Sequence, residues 1–293
     1  MRRAVTVLVV LGLVAGLGYW LGTRWDRSSP PAPRAGCRAE AASEIRLELE
    51  QMANAATIAA VGVRMEVPDR GVQIALATAL QESKLRNLPH LGRRNDHDSV
   101  GLFQQRPSQG WGTEEQVGDP RYAAERFYRA LRRVDGWPEL RLTEAAQRVQ
   151  RSAFPEAYQR WEPEAGVLAT ALLGAEPGVV SCTVPADPPE RGQSAADALG
   201  EAMAQDWGTR VRTSPDAEPV GALRLTAGSA PGVAVAAGDP RTGWRYAHWL
   251  VAHAGVRGVT RVHFADLEWT AAAGGWSAAG STSDQVWAEV ATG

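Results

Sequence analysis

Two proline-rich segments divide this 293-residue chain into three parts. They lie at Ser28–Pro33 and at Pro185–Pro189. Proline fixes its own backbone angle and lacks an N–H donor, so such segments are typical of extended linkers. We therefore predict an N-terminal segment, a central domain and a C-terminal domain. The predicted boundaries are 1–25 for the N-terminal segment, 43–183 for the central domain and 195–293 for the C-terminal domain. The two linkers are 26–42 and 184–194.

The N-terminal segment is predicted to reach the membrane. The run Ala4–Gly22 contains no charged residue, and Arg2 and Arg3 precede it. As a helix it would be about 28 Å long, close to the hydrocarbon thickness of a bilayer. Tyr19 and Trp20 lie where interfacial aromatic residues are common. We favour an uncleaved transmembrane signal anchor because no good cleavage site follows; a cleaved signal peptide is the alternative.

This interpretation predicts a single-pass protein of the cell membrane with its main domains outside the cytoplasm. A cleaved signal would instead predict a secreted protein. The net charge is −2, and 22% of the residues are charged, so nucleic acid is not expected as a partner. The chain has neither a glycine-rich phosphate loop nor a Gly-x-Ser-x-Gly elbow, and we predict no cofactor.

The chain has only two cysteines, and they bracket the central domain. Cys37 follows the first linker closely, and Cys182 directly precedes the second. In an exported protein this placement predicts one disulfide that closes the domain at its ends. The alternative is two unrelated free thiols.

The central domain has the apolar spacing of a mainly helical fold. Ser43 is expected to cap a long helix that runs to Met65. The expected later helices begin at Arg70, Pro120, Thr143 and Pro155. Glu82 lies off the apolar stripe of the second of these helices and close to its end, where its side chain can face a cleft.

Glu82-Ser83 at a helix end is followed by Gly101-Leu102-Phe103-Gln104. This pairing resembles the Glu-Ser and Gly-Leu-x-Gln segments of lytic transglycosylases and goose-type lysozymes, most closely an actinobacterial branch. The resemblance covers about residues 43–175. It implies a lysozyme-like domain with Glu82 as the catalytic acid and peptidoglycan glycan strands as the substrate. The family's Tyr-Asn-Ala-Gly segment is replaced by Val149-Gln150, and Gln150 is our candidate substitute for the tyrosine.

Cleavage of a glycosidic bond requires a proton on the leaving oxygen, and a carboxyl group can supply it if an apolar site raises its pKa. The resemblance implies that the same glutamate then deprotonates the sugar's C6 hydroxyl, which closes a 1,6-anhydro ring. Asp96 and Asp98 are possible second carboxylates, although acidic loop residues more commonly form turns. The predicted substrate-binding residues are Ser83, Gly101, Phe103, Gln104, Trp111 and Gln150.

The C-terminal domain is predicted to be a small α+β unit, with a helix at Trp244–Val256 and a strand at Val259–Phe264. It faintly resembles domains related to D-alanyl-D-alanine carboxypeptidases, whose zinc motif is Ser-x-His-x-x-Gly-x-Ala-x-Asp. The nearest match, Ser229–Ala236, contains a serine, a glycine and an alanine but lacks the histidine and aspartate at the ligand positions. We therefore predict no metal site. A generic α+β domain is the alternative.

Together these observations predict an α+β protein: a transmembrane helix, a mainly α lysozyme-like domain and a small C-terminal α+β domain. The leading functional hypothesis is cleavage of glycan strands by the single glutamate Glu82. The alternatives are a non-catalytic peptidoglycan-binding scaffold of a cell-envelope assembly, with envelope proteins as partners, and a structural partner of a secretion machine.

Overall fold

The computed structural model describes residues 35–90, 97–209, 212–214 and 231–293. These residues form a mixed α+β fold with nine α-helices and two small sheets. The helices are α1 (Leu49–Arg64), α2 (Asp69–Glu82), α3 (Glu114–Gly118), α4 (Pro120–Leu131), α5 (Leu142–Gln150), α6 (Glu162–Leu172), α7 (Gly192–Trp207), α8 (Pro240–Ala252) and α9 (Ala254–Arg257). The strands are β1 (Gly36–Glu40), β2 (Glu44–Leu47), β3 (Val180–Thr183), β4 (Arg212–Ser214), β5 (Gly232–Ala236), β6 (Val259–Thr270) and β7 (Gly275–Val290).

The predicted membrane anchor Ala4–Gly22 and the linker Ser28–Pro33 lie outside the described residues. Within the described ranges, no helix is both long enough and apolar enough to cross a bilayer. The anchor therefore stays a prediction.

The first sheet has the antiparallel order β2-β1-β3 and joins the two ends of the central region. Cys37 on β1 lies opposite Cys182 on β3, and the two form a disulfide across 145 residues of sequence. The disulfide prediction is confirmed. A loop of that length gives a cross-link worth about 3–5 kcal/mol in the chain-entropy account of disulfide stabilisation.

The start of the first helix differs from our prediction. Ser43 does not cap it, because residues Glu44–Leu47 form β2 against β1, and α1 begins only at Leu49. The backbone N–H of Glu48 instead donates to the Gln51 side chain (2.8 Å) at the helix start. Residues 44–47 alternate polar and apolar, which is the period of a strand rather than of a helix.

Helix α1 is the buried centre of the fold. Its residues from Met52 to Gly62 are buried, and it contacts α2, α4, α6, α7 and α8. Most of these residues are small, which lets neighbouring helices approach closely. A Cβ at Gly62 would lie 2.8 Å from the Tyr128 hydroxyl and 2.7 Å from a methyl group of Val72. No larger residue fits there without movement of its neighbours.

Helices α2 and α4 form close to their predicted positions, and α6 does not. Helix α2 was predicted at Arg70–Ser83 and forms at Asp69–Glu82, and Asp119 caps α4 by accepting from the next two backbone N–H groups. The last helix of the central region, α6, begins at Glu162 rather than at the predicted Pro155, because residues 155–161 form turns and a short 3₁₀ segment. Helix α2 packs against α4, α5 and α6.

The second sheet has the antiparallel order β4-β5-β7-β6. The predicted helix and strand of the C-terminal region are present as α8 with α9 and as β6, which runs on to Thr270. Helix α8 contacts α1, α6 and β3 as well as β6 and β7. Ala35–Gly293 form one compact unit, and the boundary predicted at 184–194 stays a prediction.

One buried carboxylate connects four helices. Asp206 on α7 is fully buried and accepts hydrogen bonds from Thr57 on α1 (2.9 Å) and Trp249 on α8 (2.9 Å). It also forms an ion pair with Arg121 on α4. A buried charge is tolerated only when it is paired and hydrogen-bonded, and Asp206 meets both conditions.

We expect Asp206→Ala to lower the free energy of unfolding by about 3 kcal/mol or more, because three polar partners lose their acceptor. Urea unfolding of the full chain in detergent measures this. The control is Asp187→Ala, since the Asp187 side chain is 92% exposed and pairs with Arg191 at the surface. That variant should lose less than about 1 kcal/mol. Equal losses in the two variants would contradict a stabilising role for the buried cluster.

Candidate functional site

Glu82 is the last residue of α2, and the chain turns sharply behind it. Ser83 ends the helix, and Lys84 and Leu85 both have left-handed backbone conformations, with φ of 57° and 61°. The N–H of Leu85 donates back to the carbonyl of Ala79 (3.2 Å). The helix therefore stops directly after Glu82 and leaves its half-buried carboxyl group at the helix end.

The Gly-Leu-Phe-Gln segment forms a tight turn. Val100 and Gln105 exchange two backbone hydrogen bonds of 3.0 and 3.1 Å on either side of it. Gly101 has φ of 77°, and a Cβ there would lie 2.3 Å from the carbonyl oxygen of Val117. Glycine is thus required both by the backbone conformation and by the close neighbour. The side chain of Gln104 donates to Gly101 within the turn (3.0 Å).

Ser83 holds the turn against the end of α2. Its buried hydroxyl donates to the carbonyl of Leu102 (2.8 Å). Phe103 is fully buried and stacks on Phe127 of α4, with ring centroids 4.8 Å apart. The two sequence segments that we singled out are therefore adjacent, and Phe103 forms part of the apolar core beside them.

Two side chains hold the carboxyl group of Glu82. The hydroxyl of Tyr158 donates to its Oε1 at 2.6 Å, and Nε2 of Gln150 lies 3.3 Å from the same oxygen. Gln150 also donates to the carbonyl of Phe103 (2.7 Å), which ties α5 to the turn. Among the described residues, no hydrogen bond reaches the other carboxyl oxygen, Oε2.

Burial raises the pKa of Glu82 above its ordinary value. The hydrogen bonds from Tyr158 and Gln150 and the charge of Lys84 act in the opposite direction but do not cancel this effect. Burial and the neighbouring carboxylate also raise the pKa of Tyr158, so its hydroxyl remains a donor. The site therefore contains a carboxyl group that keeps its proton to higher pH than an exposed glutamate does.

Tyr158 is a site residue that the sequence did not predict. The resemblance implies a tyrosine at the end of α5, where this chain has Gln150. The structure places Gln150 beside Glu82 and brings in Tyr158 from the irregular segment before α6, fully buried. The only available signal was that Tyr158 is the single tyrosine between α5 and α6.

The rim of the site next to Lys84 is ordered by Trp161. The ammonium group of Lys84 lies 4.1 Å from the centroid of the Trp161 ring. The indole N–H of Trp161 and the guanidinium of Arg160 both donate to the side chain of Gln81, at 2.9 and 2.8 Å. These contacts fix the residues on either side of Glu82.

Asp98, one of the two possible second carboxylates, is engaged in its own loop. It accepts hydrogen bonds from the N–H (2.7 Å) and hydroxyl (2.8 Å) of Ser108 and from Arg106 (3.0 Å). These bonds, the backbone one first, hold the pKa of Asp98 far below its usual range. Asp96 lies outside the described residues. A catalytic role for either aspartate stays a prediction.

A surface cleft of about 610 Å³ is connected to the acid through Gln150, which lines the cleft and contacts Glu82, whereas Glu82 itself is not one of the lining residues. It is lined by residues 109–111, by one face of α4 and by the end of α5. Trp111, our candidate aromatic contact for sugars, and Gln150 both line it. The carbonyl of Trp111 accepts from Arg126 (3.1 Å) and from Tyr122 (3.3 Å), which fixes this segment against α4.

The C-terminal histidines have separate partners. The rings of His248, His253 and His263 lie within hydrogen-bond distance of different backbone carbonyls. In the parts of the chain that the structure describes, no three His, Cys, Asp or Glu side chains are grouped to hold a metal. Ser229 and Ala230 of the zinc-motif match lie outside those parts, and Gly232–Ala236 form β5. The absence of a metal site stays a prediction.

No family model matches the chain, and no curated protein matches it significantly. The function must therefore be argued from the geometry of the site.

We expect Glu82→Gln to stabilise the protein relative to wild type, and more so as pH rises. Because the folded-state pKa is raised, the folded protein binds the proton more tightly than the unfolded chain does. The resulting penalty is absent below the unfolded pKa, near 4.5, and complete above the folded pKa. Melting temperatures of the full chain at pH 4 and pH 8 test this.

The matched control is Glu176→Gln, which removes an exposed carboxylate and should change the melting temperature little at either pH. A Glu82→Gln variant that loses stability relative to wild type between pH 4 and pH 8 would contradict a raised pKa at Glu82.

Proposed function

We propose that this protein cleaves the glycan strands of peptidoglycan outside the cytoplasm, as a lytic transglycosylase does, with Glu82 as its catalytic carboxyl group. The observation that carries the proposal is the environment of Glu82. A half-buried carboxyl with a raised pKa lies at the end of α2, beside the Gly101–Gln104 turn, and its partner Gln150 lines an open cleft. Raised carboxyl pKa values are a common property of catalytic acids.

In the first step, protonated Glu82 gives its proton to the glycosidic oxygen, and the bond from that oxygen to C1 of the muramic acid unit breaks. Oε1 already accepts from Tyr158 and Gln150. Oε2 has no such bond among the described residues and is the oxygen positioned to carry the transferred proton. The positive charge that develops on the sugar ring is compensated by the carboxylate that the transfer creates.

In the second step, the Glu82 carboxylate takes the proton of the C6 hydroxyl of the same sugar, and O6 forms a bond with C1. The product is a 1,6-anhydro sugar, no water is consumed, and Glu82 regains its proton. The hydrogen bonds from Tyr158 and Gln150 stabilise the carboxylate between the two steps. One carboxyl group thus serves as acid and then as base.

A solvent-exposed aromatic ring also suits a carbohydrate substrate. Phe154 is 73% exposed and belongs to the segment between α5 and α6, which also supplies Tyr158. An aromatic ring open to solvent is a surface on which a sugar ring can stack.

The second candidate is a non-catalytic peptidoglycan-binding scaffold that works with envelope proteins. The open cleft favours it, because binding alone would explain Trp111 and Phe154. It gives no reason for a buried carboxyl beside a tyrosine hydroxyl, and we therefore rank it second. Both proposals include the predicted membrane anchor Ala4–Gly22.

We expect Glu82→Gln to lower the rate on purified sacculi by about 10²–10⁴-fold, since the amide has no proton to transfer. Mass analysis of wild-type products should find anhydro-muramyl ends. The exposed-site variant Glu176→Gln should retain full activity. Unchanged turnover in Glu82→Gln would refute the assignment. Products that contain added water and depend on Asp98 would identify a hydrolase instead.

We expect Tyr158→Phe to shift the alkaline limb of kcat/KM to higher pH. The Tyr158 hydrogen bond lowers the pKa of Glu82, so its loss lets the catalytic proton persist to higher pH. The ring remains, so packing is preserved. Tyr122→Phe is the control, because this hydroxyl contacts the carbonyl of Trp111 and not Glu82. An unshifted or acid-shifted limb would show that Tyr158 does not act on Glu82.

A further inference from the structure

The cleft that Gln150 connects to Glu82 is strongly basic. The described residues that line it include five arginines and no acidic residue. We call it the arginine cleft; its arginines are Arg126, Arg129, Arg133, Arg148 and Arg151. The whole chain has a net charge of −2, so the basic character of the cleft is local and does not reflect overall composition.

Nearby carboxylates neutralise little of this charge. Glu125 is shared between Arg64 and Arg129, and it is the acidic partner of only one cleft arginine. Arg126 donates to the carbonyls of Gly110 (3.0 Å) and Trp111 (3.1 Å), which orient its guanidinium without cancelling its charge.

The same holds for Arg148, whose side chain donates to the carbonyl of Asp135 (3.3 Å). The carboxylate of Asp135 is exposed and forms no ion pair with any described residue. Arg133 and Arg151 are exposed, and their side chains make no hydrogen bond or ion pair within the described part of the chain. Four guanidinium groups therefore remain available to an anion.

The position of Arg151 adds a second argument. It caps α5 with φ of 54°, a left-handed conformation in which glycine or asparagine is usual. An arginine there places a charged side chain at the mouth of the cleft at some cost in backbone energy. Its neighbour Gln150 lines the cleft and lies 3.3 Å from the Glu82 carboxyl oxygen. Gln150 is thus the residue through which the cleft and Glu82 are connected.

We infer that the arginine cleft binds the carboxylates of the peptides carried by the glycan strand, next to the bond that Glu82 cleaves. The inference rests on the proposed function, which identifies the polymer. Neutral sugars do not require unpaired guanidinium groups, whereas carboxylates match the guanidinium fork and are bound in pairs of hydrogen bonds. The volume of about 610 Å³ lies within the range of pockets that enclose ligands larger than one sugar.

The test compares soluble peptide-bearing glycan strands with the same strands after their carboxylates have been converted to amides. Binding is measured with the full chain in detergent, in a Glu82→Gln background and as initial binding, before any turnover. Wild-type arginines should favour the carboxylate form by about tenfold, with a preference that weakens in salt. Arg133→Gln with Arg151→Gln should remove most of that preference and leave the affinity for amidated strands unchanged.

The matched control is Arg46→Gln with Arg191→Gln, which removes the same charge from exposed arginines that do not line the cleft. It should keep the tenfold preference. Melting temperatures of both double variants confirm folding, and all four arginines are on the surface. A cleft variant that keeps the preference would overturn the inference. So would a wild-type protein that binds poly(glycerol phosphate) more tightly than peptide-bearing strands, because the ligand would then be a phosphodiester.

The inference and the proposed function can fail separately. If Glu82→Gln retains full turnover on sacculi while the cleft variant loses its preference for carboxylates, the catalytic assignment fails and the cleft assignment stands. If Glu82→Gln is inactive and the cleft variant still distinguishes the two kinds of strand, the cleft assignment fails and the catalytic one stands.

Discussion

The site depends on the abrupt end of α2 directly behind Glu82. A helix that continued would bury this side chain among its neighbours or expose it fully to water. The left-handed residues Lys84 and Leu85 instead turn the chain away from the helix axis. The Ser83 hydroxyl donates a hydrogen bond to the carbonyl of Leu102 and so holds the helix end against the Gly101–Gln104 turn. Glu82 is consequently half-buried and held by Tyr158 and Gln150 at the helix end. A positioned, partly desolvated carboxyl group is what general acid catalysis needs.

The electrostatics of the site have two opposed parts. Burial disfavours the charged form of Glu82, while the arginine cleft, a few residues away through Gln150, favours negative charge in a ligand. The charge that acts on Glu82 itself is that of Lys84, which lowers its pKa without cancelling the effect of burial, whereas the cleft arginines act on a ligand.

Features set by local sequence could be predicted, and features set by distant contacts could not. The end of α2 and the Asp119 cap follow from neighbouring residues, and both formed where expected. Ser43 failed as a cap because residues 44–47 pair with β1, whose other neighbour is the distant strand β3 (Val180–Thr183). Tyr158 was missed because no sequence period marks the segment before α6; only the packing of α6 against α2 brings it to the acid.

The C-terminal region has a physical role even without a chemical one. Helices α7 and α8 meet α1 and α4 at the buried Asp206, whose partners include Arg121 at the start of α4. Helix α4 also carries Phe127, which stacks on Phe103 of the turn, and Arg126, which lines the cleft. A shift of α4 would therefore disturb both the apolar wall and the basic cleft. By holding α4 against α1, the C-terminal region keeps the acid and the cleft in one fixed arrangement, which is a sufficient reason for its close packing against the central helices.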